Sequence, residues 1–199
     1  MLLAMLLATG CVLRLPPYEA QPIANYEHTQ TKDGLVVAIH PIIDAHESET
    51  YFGMDLLGAR VLAVFVASEN HAPSSSFILL KENISLHAGE LKLQGTPDMA
   101  RSDTTAEAIG WAGLAIISIP LLIIHNKMSE DTAALNHNFK TKEFQARTLS
   151  PGQKAEGFIY FQLPDNKDLP SQWAIHLKAA EARSKEVSEF AFTFASRGQ

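Results

Sequence analysis

The chain of 199 residues has a single cysteine, Cys11, so no disulfide within it can staple the fold and the core must hold it alone. It is also short of positive charge, with 16 Lys and Arg against 22 Asp and Glu and a net charge of −6. The densest basic spacings are the pairs Lys140 with Lys142 and Arg183 with Lys185. Phosphate-backbone binding needs a more concentrated positive footprint, so nucleic acid is excluded as an expected partner. Local catalytic signatures are missing too: there is no G-x-S-x-G, no G-x-x-x-x-G-K-[ST] and no H-E-x-x-H. The expectation is therefore a non-enzymatic protein with no cofactor.

What is present is ordinary globular composition, 46% apolar and 19% charged, in a length that suits one substantial core. The chain opens on MLLAMLLATGCV, where Leu2 to Leu7 form an apolar run and Ala8, Thr9 and Gly10 supply small residues before Cys11. A secretory signal has these two parts preceded by a basic region, which is missing here. Either the true start lies upstream or the numbering begins inside the signal. Residues 12–34 follow as a polar, proline-interrupted stretch without a sustained period, which reads as a tether. A buried strand with a core thiol is the alternative for this N-terminus.

The stretch LATGC resembles the lipobox of bacterial lipoproteins, in which the cysteine is acylated and becomes the first residue of the mature protein. The resemblance implies lipidation of Cys11 by chains such as palmitate and, because Val12 follows in place of an acidic residue, sorting to the outer membrane facing the periplasm. Two or more acyl chains hold a protein stably at a membrane surface.

Beyond the tether the pattern turns to short apolar runs. GLVVAIHPI (34–42) and RVLAVFVASEN (60–70) read as strands, the second apolar on both faces like a central strand. SSFILL (75–80), NISL (83–86), ELKLQG (90–95) and AEGFIYFQL (155–163) follow, separated by turn residues. QWAIHLKA (172–179) alternates Trp173, Ile175 and Leu177 against Ala174, His176 and Lys178. SEFAFTFAS (188–196) alternates Phe190, Phe192 and Phe194 against Ala191, Thr193 and Ala195, the clearest period-two signal in the chain. Seven or eight strands with frequent turns predict a mainly β fold, a β-sandwich.

Three stretches carry a second resemblance: VFVASENHAPSSSFILLKENISL (64–86), TLSPGQKAEGFIYFQLP (148–164) and YFGMDLL (Tyr51–Leu57). They resemble Ig-like domains of bacterial envelope proteins, including a family of bacterial lipoproteins bearing YFGxDLL. The likeness covers about residues 34–95 and 144–196. It implies an Ig-like β-sandwich and an envelope address, with no activity attached.

Between the two halves lies AIGWAGLAIISIPLLII, Ala108 to Ile124, 17 residues without charge. As a helix it spans about 25 Å, the short end of a bilayer crossing. Gly110, Ala112, Gly113 and Ala115 make a smooth small-residue patch that another helix can approach, Trp111 among them marks a helix contact or a membrane interface, and Pro120 introduces a kink. The expectation is an inserted helical hairpin over about 104–146: an apolar helix near 104–125, a turn at Lys127 to Ser129, and a polar helix near 130–146 capped by Ser129. The apolar helix has three fates: packing on its own sheet, docking into an envelope partner or a second copy, or entering a bilayer.

HPIIDAHESE brings His40, Asp44, His46, Glu47 and Glu49 close in sequence, a metal-ligand composition whose expected role is that of solvated loop polar residues. A metal-dependent enzyme built on these residues is the weakest alternative. His71 and His87, near strand ends, are read the same way. Tyr51, Phe52, Gly53 and Asp55 read as a staple closing one end of the sandwich, against an exposed recognition patch. Trp173 is expected in the core.

The organisation expected is thus a signal segment at 1–10, a lipidated Cys11 with a tether over 11–33, and a β-sandwich domain at 34–199 carrying the insertion. The expected function is that of a lipid-anchored, periplasm-facing binding or structural protein; a membrane-active or membrane-spanning protein using 108–124 is the alternative.

Overall fold

The computed structural model describes residues 15–95, 132–164 and 169–195. Among these described residues, nine strands and two α-helices follow in the order β1 (His28–Lys32), β2 (Leu35–Ile42), α1 (Ala45–Phe52), β3 (Val61–Asn70), β4 (Phe77–Ala88), β5 (Leu91–Gln94), α2 (Thr132–Lys142), β6 (Arg147–Leu149), β7 (Lys154–Gln162), β8 (Gln172–Glu181) and β9 (Val187–Ala195). All strand pairs are antiparallel. The first sheet runs β1-β2-β3-β7; the second runs β5-β4-β8-β9, with β6 lying beside β4.

The two sheets share one core. Leu35, Val37 and Val64 from the first meet Phe77, Leu86, Ile175 and Phe192 from the second in a single buried cluster, which also takes in Trp173. In β9 the alternation is strict, Phe190, Phe192 and Phe194 pointing in while Glu189, Ala191 and Thr193 are exposed, because this sheet has one covered face. β3 is buried almost throughout, since its outer face is covered as well. There Phe65, Phe158 and Tyr160 form a second apolar cluster with Phe52 of α1, Phe139 of α2 and Tyr26. The molecule therefore has a helical layer over one sheet.

Strands on either side of the insertion pair directly: β3 with β7, and β4 with β8. The apolar helix expected at 104–125 and its turn lie outside the described residues, as do Cys11, Gly110, Trp111, Gly113 and Pro120. The expected polar helix is α2, ending at Lys142 instead of near 146. It stops there because Glu143 bridges to Phe158 at the free edge of β7 and Phe144 turns into the main core. An apolar hairpin is thus not among the described elements.

Three further expectations change. The tether is shorter than 11–33, because residues 28–32 form β1. Its sequence HTQTK has no apolar face, and as an edge strand it needs none. Asp33 and Gly34, both at positive φ (53° and 84°), make the two-residue turn into β2, a conformation that Asp-Gly sequences favour. Side chains of β1 also close the seam to the second sheet. Gln30 Nε2 donates to the carbonyl of Ala191 at 2.6 Å, and Lys32 Nζ donates to that of Glu189.

The second change concerns SSFILL and NISL, which are one strand, β4, irregular between Leu79 and Ile84. Lastly, the loop expected at 40–49 contains α1. Asp44 is its N-cap, accepting from Glu47 N at 2.8 Å, and Gly53 ends it at φ 73°.

Asn70, fully buried, joins the two halves of the chain at the end of β3. Its Nδ2 donates to the carbonyls of Ser75 (2.7 Å) and Leu149 (3.0 Å), while its Oδ1 accepts from Ala72 N (2.9 Å). The Pro151-Gly152 turn docks on the same residue, Gly152 N donating to Asn70 O.

Candidate functional site

Residues singled out in HPIIDAHESE do not converge. His40, at the end of β2, pairs with Glu47 through Nε2 and Oε1 at 3.0 Å, and Asp44 is occupied by the helix cap. His46 and Glu49 are exposed on α1, and among the described residues no group of three or more metal-ligating side chains forms. His71 is likewise paired, with Glu69 at 3.1 Å. Glu69 also accepts from Lys154, which holds its carboxyl below the usual range, with a further contribution from His71. Glu69 and Lys154, together with Ala20 to Ile23, line a cleft of about 370 Å³.

YFGMDLL is a structural staple in every position that can be assigned. Phe52 is fully buried and stacks on Phe139 at 5.5 Å; Leu56 is fully buried beside it. Buried Ser48 clamps the loop, its Oγ donating to Met54 O at 2.8 Å and accepting from Leu56 N at 3.0 Å. Asp55 Oδ1 accepts from Gly58 N at 2.9 Å. Tyr51 is half-buried, 4.9 Å from the ring of Tyr18, whose phenol is pushed up mainly by burial and then by Tyr26. Lys142 lies over Phe52 at 5.2 Å and Tyr51 at 5.9 Å, donating to Tyr51 O and Asn138 Oδ1. Burial pushes its ammonium down to about 8. This end of the molecule is a packed junction of α1, α2 and the N-terminal segment.

The open chemistry lies on the opposite side, on the outer face of the second sheet. Registers place Gln94, Ser85, His176 and Ala191 in one row across β5, β4, β8 and β9. The next row reads Lys92, His87, Ala174 and Thr193. His87 and His176 are diagonal neighbours, and their rings stack with centroids 4.1 Å apart and planes 23° from parallel. Ser85 Oγ lies 3.0 Å from His87 Nε2 and fixes that ring. Burial pushes the His87 imidazole below its ordinary value, and the charges of His176, Lys92 and Lys178 push it further the same way. His87 and His176 are half-buried beside the small side chains of Ala174 and Ala191, and Ser85 is buried next to them. Sequence reasoning set His87 aside as a solvated residue. The pair exists only through the β4–β8 register, although His176 was already placed on the outward set of its strand.

No family model matches the chain, and no curated protein does. Among solved structures, the crystal structure at 2.62 Å of a protein described as a lipoprotein, ycdA, from Bacillus subtilis subsp. subtilis str. 168 is similar, with 12% identity and a TM-score of 0.45. The likeness covers 85% of this chain and 38% of that one, so this chain spans well under half the length of that protein.

Proposed function

We propose that the protein is a lipid-anchored, non-catalytic binding protein of the bacterial envelope, held through acylated Cys11 on the outer membrane and facing the periplasm. The observation that carries this reading is the lipobox-like LATGC placed immediately before a docked body. Tyr18 is seven residues beyond Cys11, a reach of about 25 Å at full extension. Its ring already packs on Phe65 and Phe158 of the first sheet, at 4.5 and 4.9 Å. Such spacing suits a body held close to a membrane surface. On this reading the two sheets are an Ig-like sandwich whose first sheet has gained a helical cover. Residues 108–124 are then a contact segment for an envelope partner or a second copy, with Gly110, Trp111, Gly113 and Pro120 at its surface. Binding at the second sheet is the role left to the open histidine face.

Metabolic labelling with a palmitate analogue tests the anchor. The intact protein is expected to take up label and sediment with membranes, while Cys11→Ser is expected to do neither. An unlabelled, soluble intact protein would end the proposal. Photocrosslinking from position 111 in intact cells reads out the partner segment, and a lipid-only adduct there would replace partner docking with bilayer insertion.

A further inference from the structure

The outer face of the second sheet gathers Ser85, His87, Lys92 and His176, which take no part in either apolar cluster. We propose that Ser85, His87, Lys92 and His176 form a binding site for a small phosphate-type oxyanion, which they hold by hydrogen bonds and charge across three adjacent strands. The proposal rests on reading this face as the binding surface, and not on the lipid anchor.

The argument starts from register. Ser85 pairs with His176 across β4 and β8, and His87 pairs with Lys92 across β4 and β5, so the four side chains leave the sheet on one face as a compact group. Neighbouring strands lie about 4.8 Å apart, which sets the donors at the spacing of an oxyanion with several acceptor oxygens. The stacked imidazoles, 4.1 Å apart, stand on the two middle strands of the sheet. Charge decides between ligands. Lys92 and Lys178 flank the histidines, and the carboxylate facing them, Glu189 of β9, is bound to Lys178 at 2.6 Å. Lys32 of β1 reaches the backbone carbonyl of Glu189 from the far side. With Lys178 offset by Glu189, the charge of Lys92 beside His87 is what repels a metal cation and attracts an anion.

His87, whose protonation burial and its neighbours disfavour, also has unused capacity. An imidazole that takes up a proton becomes a donor through both nitrogens, and the repulsion that opposes protonation of His87 is relieved once an anion lies beside the stacked rings. Anion binding and proton uptake at His87 are therefore linked, and each strengthens the other.

The experiment is an NMR titration of the histidine C2 protons in the full chain, in phosphate and in chloride at matched ionic strength. The midpoint of His87 is expected to rise by about one unit in phosphate, with inorganic phosphate bound about tenfold more tightly at pH 5.5 than at pH 7.5. Lys92→Ala and His176→Ala, both surface changes, are expected to weaken binding about tenfold. Glu189→Gln, which frees Lys178, is expected to strengthen it. Equal midpoints in the two salts would overturn the proposal. So would retention on phosphatidylglycerol vesicles without any response to inorganic phosphate, which would make this face a membrane contact. Either result leaves the labelling of Cys11 as it was, so the two readings fall separately.

Discussion

Lys81 Nζ lies 2.6 Å from Glu143 Oε1, with the two side chains 1% and 10% exposed. Lys81 occupies the inward position of β4 that follows Phe77 and Leu79, where alternation calls for an apolar residue. Its charge is tolerable there because Glu143, just past α2, brings a carboxylate to the edge of β7. Breaking such a pair from one side costs about 3–5 kcal/mol, since it strands the other charge. Lys81→Met and Glu143→Leu are each expected to lower the unfolding free energy by that order. The double replacement should recover most of the loss. Urea unfolding of the four proteins as a double-mutant cycle measures it, and additive losses would show that the pair is not coupled.

Ser68 presents the opposite case. It is 1% exposed and stands on β3 between Val37 of β2 and Ala155 of β7, and its hydroxyl finds no hydrogen-bond partner among the described residues. Removing an unsatisfied buried hydroxyl is expected to stabilise by about 1 kcal/mol. Ser68→Ala should raise the urea midpoint at an unchanged slope.

Asn70 is where an amide cannot be replaced by its acid. Asn70→Asp keeps the acceptor for Ala72 N but turns a carboxylate oxygen toward the carbonyls of Ser75 and Leu149. A loss of about 3 kcal/mol is expected, with Asn70→Ala similar in size. Hydrogen exchange should show β6 and the end of β3 opening together in both variants.

The histidine face gives stability a pH dependence. The folded state holds the His87 imidazole below its ordinary value of 6.5, through burial first and then through His176, Lys92 and Lys178. The unfolded chain therefore binds more protons in the window just below pH 6.5. Stability is full above that pH and falls as the solution is acidified through the folded value. His87→Asn should flatten this part of the profile, as read by urea midpoints between pH 5 and pH 8.

How far the chain could be read beforehand follows from which periodicities are local. β9 and β8 announce themselves because one face of their sheet is covered and the other is open, so apolar and polar residues alternate. β3 is legible as a central strand for the complementary reason. β1 was hidden by its polar edge sequence, although the Asp33-Gly34 turn beside it is a strong hairpin signal. α1 was hidden because eight residues, AHESETYF, carry little amphipathic pattern and depend on the Asp44 cap and on Phe52 reaching the aromatic cluster. The histidine pair was not legible at all. His87 and His176 are 89 positions apart, and only the pairing of Ser85 with His176 brings their rings together.

The seam between β1 and β9 reaches beyond stability. An unoccupied strand margin is a template on which further chains can stack without limit, and β9 would offer one with three phenylalanines behind it. Gln30 and Lys32 already occupy the carbonyls of Ala191 and Glu189, so an incoming chain must first displace bonds made within the same molecule. Crowding many copies together should therefore leave the protein dispersed, and removing those two side chains should make it prone to fibre growth.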